Sequence, residues 1–225
     1  MSKKHKSSRP KPPKLSASQL RSPDTIPADE LAVQRAEAEA EAVRRSRQRG
    51  LDLLSQGARL LMQGHVGEAA DKLEQAAVLL PDDPDVAINL GGAYVLLRRH
   101  NQAVNVLERA SRLAPQSAMV WTNLAAAYLG TLAISGPQQQ AKAINAYEHA
   151  LEFNPAAPNV HYNLGLIFQD RHDWSQARHY FNEALRVNPA DSDARTWLAR
   201  IDRLEQEEAA LSIQKPDDLP DAAVL

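Results

Sequence analysis

Cysteine is absent from the 225 residues, so disulfides, thiolate chemistry and cysteine-based zinc sites are excluded outright. Aromatic residues make up only 5% and glycines number nine, while alanine, leucine and valine carry the apolar content. That composition suits helices better than sheets. No run of about 18 apolar residues occurs, so no membrane span is expected. The basic N-terminus has no apolar stretch behind it, and a secretory signal is not expected either; the location expected is cytoplasmic. Net charge is −2, giving no strong overall attraction to nucleic acid.

The charge that is present is polarised along the chain. Lys3, Lys4, Lys6, Arg9, Lys11, Lys14 and Arg21 lie before Ser22 with no acid among them. Glu205, Glu207, Glu208, Asp217, Asp218 and Asp221 face Lys215 alone at the other end. By composition, residues 1–27 and 212–225 are expected to be disordered.

Between the tails the chain repeats itself. EAADKLEQAAVLLP, QAVNVLERASRLAP, KAINAYEHALEFNP and QARHYFNEALRVNP end at Pro81, Pro115, Pro155 and Pro189, spaced by 34, 40 and 34 residues. Upstream of each stands a second recurring block: SQGARLL at Ser55, INLGGAY at Ile88, TNLAAAY at Thr122 and YNLGLIF at Tyr162. Small residues recur at Gly57, Gly91, Ala125 and Gly165, and bulky ones three places on at Leu60, Tyr94, Tyr128 and Phe168. Two antiparallel helices approach closely only where small residues sit at their crossing, with large neighbours filling the flanking grooves. Each closing proline stops its helix and resets the chain.

These columns resemble the tetratricopeptide repeat over roughly 140 residues. The resemblance implies an all-α fold, a right-handed superhelical solenoid of helix-turn-helix hairpins with a C-terminal capping helix. The parts expected are a charged N-terminal helix (28–49), repeat 1 (50–83), repeat 2 (84–117), repeat 3 (118–157), repeat 4 (158–190) and the cap (191–211). The family's first-helix tryptophan slot holds Leu53, Ala87, Trp121 and His161, so only the third repeat keeps it. Turns within hairpins are expected at Gln63-Gly64-His65, Arg99-His100-Asn101 and Arg171-His172-Asp173. The third repeat carries six extra residues, expected to lengthen its first helix through Ile134 before Gly136-Pro137 breaks it.

Chemistry-bearing constellations are few. The histidines show no ligand-like spacing with a third partner, and no phosphate loop or nucleophile elbow is present. No enzyme, metal or cofactor is expected. The informative residues are Asn89, Asn123 and Asn163, which hold one place in three repeats, each just before a leucine. In the resembling family that slot lies on the inner face of the first helix. An amide there can donate to and accept from one peptide unit of an extended chain. The arrangement is similar to the asparagine ladder lining the repeat domain of O-linked N-acetylglucosamine transferase. Helical spacing adds Ile88, Val95, Thr122, Leu129, Tyr162 and Leu166 to the same groove, an apolar surface with little charge. The family's carboxylate clamp for chaperone tails is absent apart from Asn89, since the corresponding slots hold Leu54, Ala58, Met119 and Asn123.

The reading is a protein–protein interaction scaffold or adaptor that binds an extended or helical peptide segment in the groove. The alternative is a tether to nucleic acid or an anionic surface through the basic tail, with the repeats as carrier. Self-association of the array is a third reading, and no small-molecule substrate is expected.

Overall fold

The computed structural model describes residues 28–214, and among these every regular element is a helix. The basic-tail readings and the tail beyond residue 214 lie outside the described residues. The helices are α1 (Ala28–Met62), α2 (Val66–Leu79), α3 (Pro84–Leu96), α4 (His100–Leu113), α5 (Ala118–Leu129), α6 (Pro137–Phe153), α7 (Val160–Asp170), α8 (Trp174–Val187) and α9 (Ser192–Gln214). The charged segment and the first helix of repeat 1 are one uninterrupted helix, α1. The boundary between the two compact units of the chain falls inside it, after Arg45. Before that boundary α1 is exposed, and Glu41 and Arg45 form an i,i+4 ion pair there.

In the second unit the helices pair as antiparallel hairpins, and the crossings are as tight as the small residues demand. A Cβ added at Gly57, Gly91 or Gly165 would stand 2.5 Å from Leu73 Cγ, 2.5 Å from Leu107 Cγ and 2.7 Å from Phe181 Cε1. Those three large residues are fully buried, as is Tyr147, the counterpart opposite Ala125. The next hairpin is joined by a second recurring contact. The Tyr94 hydroxyl donates to Glu74 Oε1 at 3.0 Å and the Tyr128 hydroxyl to Glu108 Oε1 at 2.8 Å.

Three hairpins turn on one left-handed residue: Gly64 (φ 80°), Arg98 (φ 60°) and His172 (φ 57°). The following N–H then reaches back to the bulky position, His65 to Leu60, Arg99 to Tyr94 and Asp173 to Phe168, at 2.8–2.9 Å. This is the Schellman closure, which satisfies carbonyls at the helix end. It places the second turn at Leu97–Arg99, two residues ahead of the expected Arg99-His100-Asn101, because His100 already opens α4.

The third hairpin departs from expectation. Helix α5 stops at Leu129 instead of running to Ile134, because Gly130 takes φ 61°, ψ −115° and ends it. Leu132–Ile134 form a short 3-10 turn, and Pro137 opens α6, which lengthens to 17 residues. The insert is packed down on both sides. Arg98 Nη2 donates to Thr131 Oγ1 at 3.0 Å. The buried Gln140 donates to Asp170 Oδ2 at 2.7 Å and accepts from Arg171 Nε at 2.8 Å. Leu132 packs on the core, whereas Ile134 is 84% exposed.

The first helices carry the array's ends as well as its middle. Val86, Leu90 and Ala93 on α3 are buried, and so are Val120, Leu124 and Ala127 on α5 and Val160, Leu164 and Ile167 on α7. The same places on α1 hold Asp52, Gln56 and Arg59, all exposed. At the far end α9 fills the place of a further first helix: Ala194 and Ile201 are fully buried with Phe181. Its ionic anchor is Arg178, paired with both Asp202 and Glu205. The helix extends to Gln214, past the expected end at Leu211.

Candidate peptide-binding groove

Helices α3, α5 and α9 begin by a repeated device, whereas α7 starts after the left-handed Asn159 with no side-chain cap. Asp83 accepts from the backbone N–H of Asp85 and Val86, Ser117 from Val120, and Asp191 from Asp193 and Ala194. These caps fix where the helices start, and so which residues share the inner slot. The tryptophan slot adds a second fastening. Trp121 Nε1 donates to the Pro115 carbonyl at 2.7 Å, and His161 Nε2 lies 2.9 Å from the Pro155 carbonyl. A carbonyl only accepts, so His161 carries its proton on Nε2 and substitutes for the indole. Arg195, in the same place on α9, donates to the Pro189 carbonyl. The departure from the family residue is therefore chemically conservative.

The structure places all nine residues expected to line the groove at half-buried positions on α3, α5 and α7. The asparagines share a slot but have unlike partners. Asn89 Nδ2 donates to Asp85 O, one turn back on its own helix, at 2.8 Å. Asn123 Nδ2 reaches to the neighbouring first helix and donates to Ile88 O at 3.4 Å. Asn163 acts on the Tyr147 hydroxyl of α6: burial drives that phenol's pKa far above its ordinary 10.0, and the asparagine partly offsets the rise. Thr122 turns its hydroxyl onto Ala118 O at 2.8 Å.

The apolar members divide. Val95 packs against the core of the first two hairpins. Leu129 packs on the third hairpin's core and lines a cavity beneath the insert. Tyr162 and Leu166 pack into the cluster that includes Trp197, Leu198 and Ile201 of α9, with the Tyr162 and Phe181 rings 5.7 Å apart. The asparagine column continues onto α9 at Trp197, 34 residues after Asn163. Its ring stacks on Phe181 at 6.1 Å and carries Arg200 at 5.1 Å. Spacing alone contained this signal, but Trp197 reads first as part of an amphipathic stripe. Among the described residues no three His, Asp or Glu side chains gather to hold a metal ion, and no helix is long and apolar enough to cross a membrane.

Paired helices with small-residue crossings, a shared inner slot and polar end faces define a helical-hairpin repeat array. Comparison with known proteins gives the family. Tetratricopeptide repeat models match residues 60–128 and 158–191, and a TPR repeat model matches residues 138–171. The chain belongs to the tetratricopeptide repeat family. It is similar to the tetratricopeptide repeat-containing protein trd-1 of Caenorhabditis elegans, 27% identical over 164 residues, which is 73% of this chain and 20% of that protein. It is also similar to the BBSome complex member BBS4 of Mus musculus, 25% identical over 60% of this chain and 25% of that protein. The chain thus spans a fifth to a quarter of the length of these relatives. In fold it resembles the MamA RS-1 ArsTM double mutant, with TM-score 0.60 and 21% identity over 73% of this chain and 89% of that one. A chain of an APC/C hetero-tetramer gives TM-score 0.61 and 23% identity, covering 68% of this chain and 30% of that one. Proteins of this family are generally scaffolds for protein interaction.

Proposed function

We propose that this chain is a non-catalytic adaptor whose first helices hold an extended segment of a partner protein by its backbone. The observation that carries this reading is the recurrence of Asn89, Asn123 and Asn163 in one slot of successive helices α3, α5 and α7. Asn89 and Asn123 each commit one amide N–H to a backbone carbonyl, which holds the side chain in place. An amide has a second N–H and a carbonyl oxygen besides, enough for one peptide unit of a ligand. Ile88, Thr122 and Val95 around them provide apolar contact with no charge, so selectivity falls on apolar anchors rather than on acidic ends. The engagement of Tyr162 and Leu166 by α9 favours the stretch from α3 to α5 as the seat of the ligand. The BBSome and APC/C proteins to which the chain is similar are members of assemblies, which agrees with an adaptor role.

The test is selection from a displayed random-peptide library on the full chain, followed by titration of the selected peptides. Replacing Asn89, Asn123 and Asn163 with alanine together is expected to weaken binding by at least about tenfold, as loss of several neutral hydrogen bonds requires. Circular dichroism of the variant reports on its fold. Undiminished affinity in the folded variant overturns the reading.

A further inference from the structure

The insert of the third hairpin borders an open pocket of about 470 Å³ that takes in none of the groove positions except Leu129. Its walls are the start of α4, the end of α5, the insert itself and the start of α6. The volume lies in the range of binding sites for small ligands and side chains, about 300–1,000 Å³. The insert is held from both directions, by Arg98 on Thr131 and by Gln140 and Arg171 behind it, so the cavity is formed before any ligand arrives.

Its chemistry is one-sided. The described lining contains no carboxylate. Lys142 is its one fixed cation, with its ammonium 5.3 Å above the Tyr128 ring, and His100 is its one imidazole. Both ring nitrogens of His100 are shielded and have no hydrogen-bond partner. An imidazole always carries at least one N–H, and a shielded donor without an acceptor is rare in folded proteins. Asn105 and Gln139 add neutral donors. The helices that open on the cavity, α4 and α6, have no acidic residue in the first turn and no side-chain cap, whereas α3 has both and α8 has the cap. Their positive ends are therefore uncompensated. Beside this polar cavity Ile134 stands almost fully exposed on the rim.

We propose that the cavity beneath the insert is a second docking site, separate from the asparagine slot, for an acidic segment of a partner protein. Carboxylates of the segment are recognised by Lys142 and the neutral donors, and an apolar residue of the segment rests on Ile134. Charge complementarity selects this occupant over a basic or uncharged one.

The experiment uses the full chain, labelled for NMR, and two blocked peptides as probes: acetyl-Glu-Leu-Glu-Leu-Glu-amide and its counterpart with Gln in place of Glu. The acidic peptide is expected to shift the Thr131, Ser135 and Gln139 amides and the His100 ring. The neutral peptide should bind about fivefold more weakly or worse, and Lys142→Met should weaken the acidic peptide by a similar factor. The triple asparagine variant should bind the acidic peptide as the unaltered chain does. Equal binding of the two peptides overturns the proposal, as do shifts confined to residues 88–95 and 122–126. Deleting residues 215–225 supplies the remaining control. If the cavity signals move on deletion with no peptide present, the occupant is the chain's own acidic end and the proposal of a partner segment fails.

Discussion

Tyr94 donates its hydroxyl proton to Glu74, which lies 20 residues earlier on the second helix of the preceding hairpin. Tyr128 and Glu108 repeat the relationship one hairpin later. The next pair would be Phe168 and Glu148, where the ring is present and the hydroxyl is not. Burial first, then the hydrogen bond to the carboxylate and its charge, push the Tyr94 and Tyr128 phenols from 10.0 up to about 12.

Because the folded phenols stay protonated to higher pH than the unfolded ones, their contribution to stability is complete below pH 10. It falls away as the pH rises from 10 toward 12. Urea unfolding of the double variant Tyr94→Phe, Tyr128→Phe should show about 1–3 kcal/mol less stability at neutral pH, the range for two part-buried hydrogen bonds. Its loss of stability above pH 10 should be shallower than that of the unaltered chain. An unchanged alkaline slope would disprove the coupling.

Gly91 and Gly67 should respond in opposite directions to the same change. A methyl at Gly91 meets Leu107 Cγ at 2.5 Å, so Gly91→Ala should destabilise by about 1–3 kcal/mol through overpacking. Gly67 lies in the first turn of α2 with nothing within 4 Å of the added Cβ. Gly67→Ala should stabilise by about 0.4–1 kcal/mol, through the lower entropy of the unfolded chain. Thermal unfolding of the two variants under one set of conditions decides both.

His161 is 8% exposed and keeps its Nδ1 without a partner, while Nε2 faces the Pro155 carbonyl. Long-range nitrogen–proton NMR correlation should therefore show the Nε2–H tautomer for this ring. His161→Phe, which removes the donor, should lower stability by about 0.5–1.5 kcal/mol. Observation of the Nδ1–H form would reassign the contact.

Arg178 is bound by two carboxylates of α9, and its guanidinium pKa is raised by the hydrogen bond to Asp202 foremost. With the side chain one-third exposed, the pair is worth about 0.2–1 kcal/mol and is sensitive to salt. Arg178→Ala should speed amide hydrogen exchange along α9 and leave α3 to α5 unchanged, and the difference should shrink at high salt. Uniform exchange changes across the chain would refute the local role.

The hairpins were legible in the sequence because packing imposes them on residue size. Gly57, Gly91, Ala125 and Gly165 each stand opposite one bulky residue, and size survives in the letters of a sequence. Backbone conformation survives less well. Arg98 and His172 take the left-handed turn that Gly64 advertises, and nothing in arginine or histidine announces it. Gly130 ends α5 for the same reason, so counting apolar residues through Ile134 overran the helix. The common slot of the three asparagines was readable from their spacing. Their partners were not, because Ile88 O and the Tyr147 hydroxyl come from other helices. Arg178 occupies a place where other hairpins have Ala70, Val104 and Ile144, and its meaning depends on two acids from α9.

Asp52, Gln56 and Arg59 make α1 a helix that one side of the array recognises and the other side refuses. Every inner hairpin presents Val, Leu and Ala or Ile there, so a duplicated copy of residues 84–117 has apolar surface to bury on each flank. Such a unit can be spliced in between existing hairpins, where both neighbours accept it, but finds no complementary surface ahead of α1. The array is therefore extensible from within and closed at its start, which confines both engineered and evolutionary lengthening to its interior.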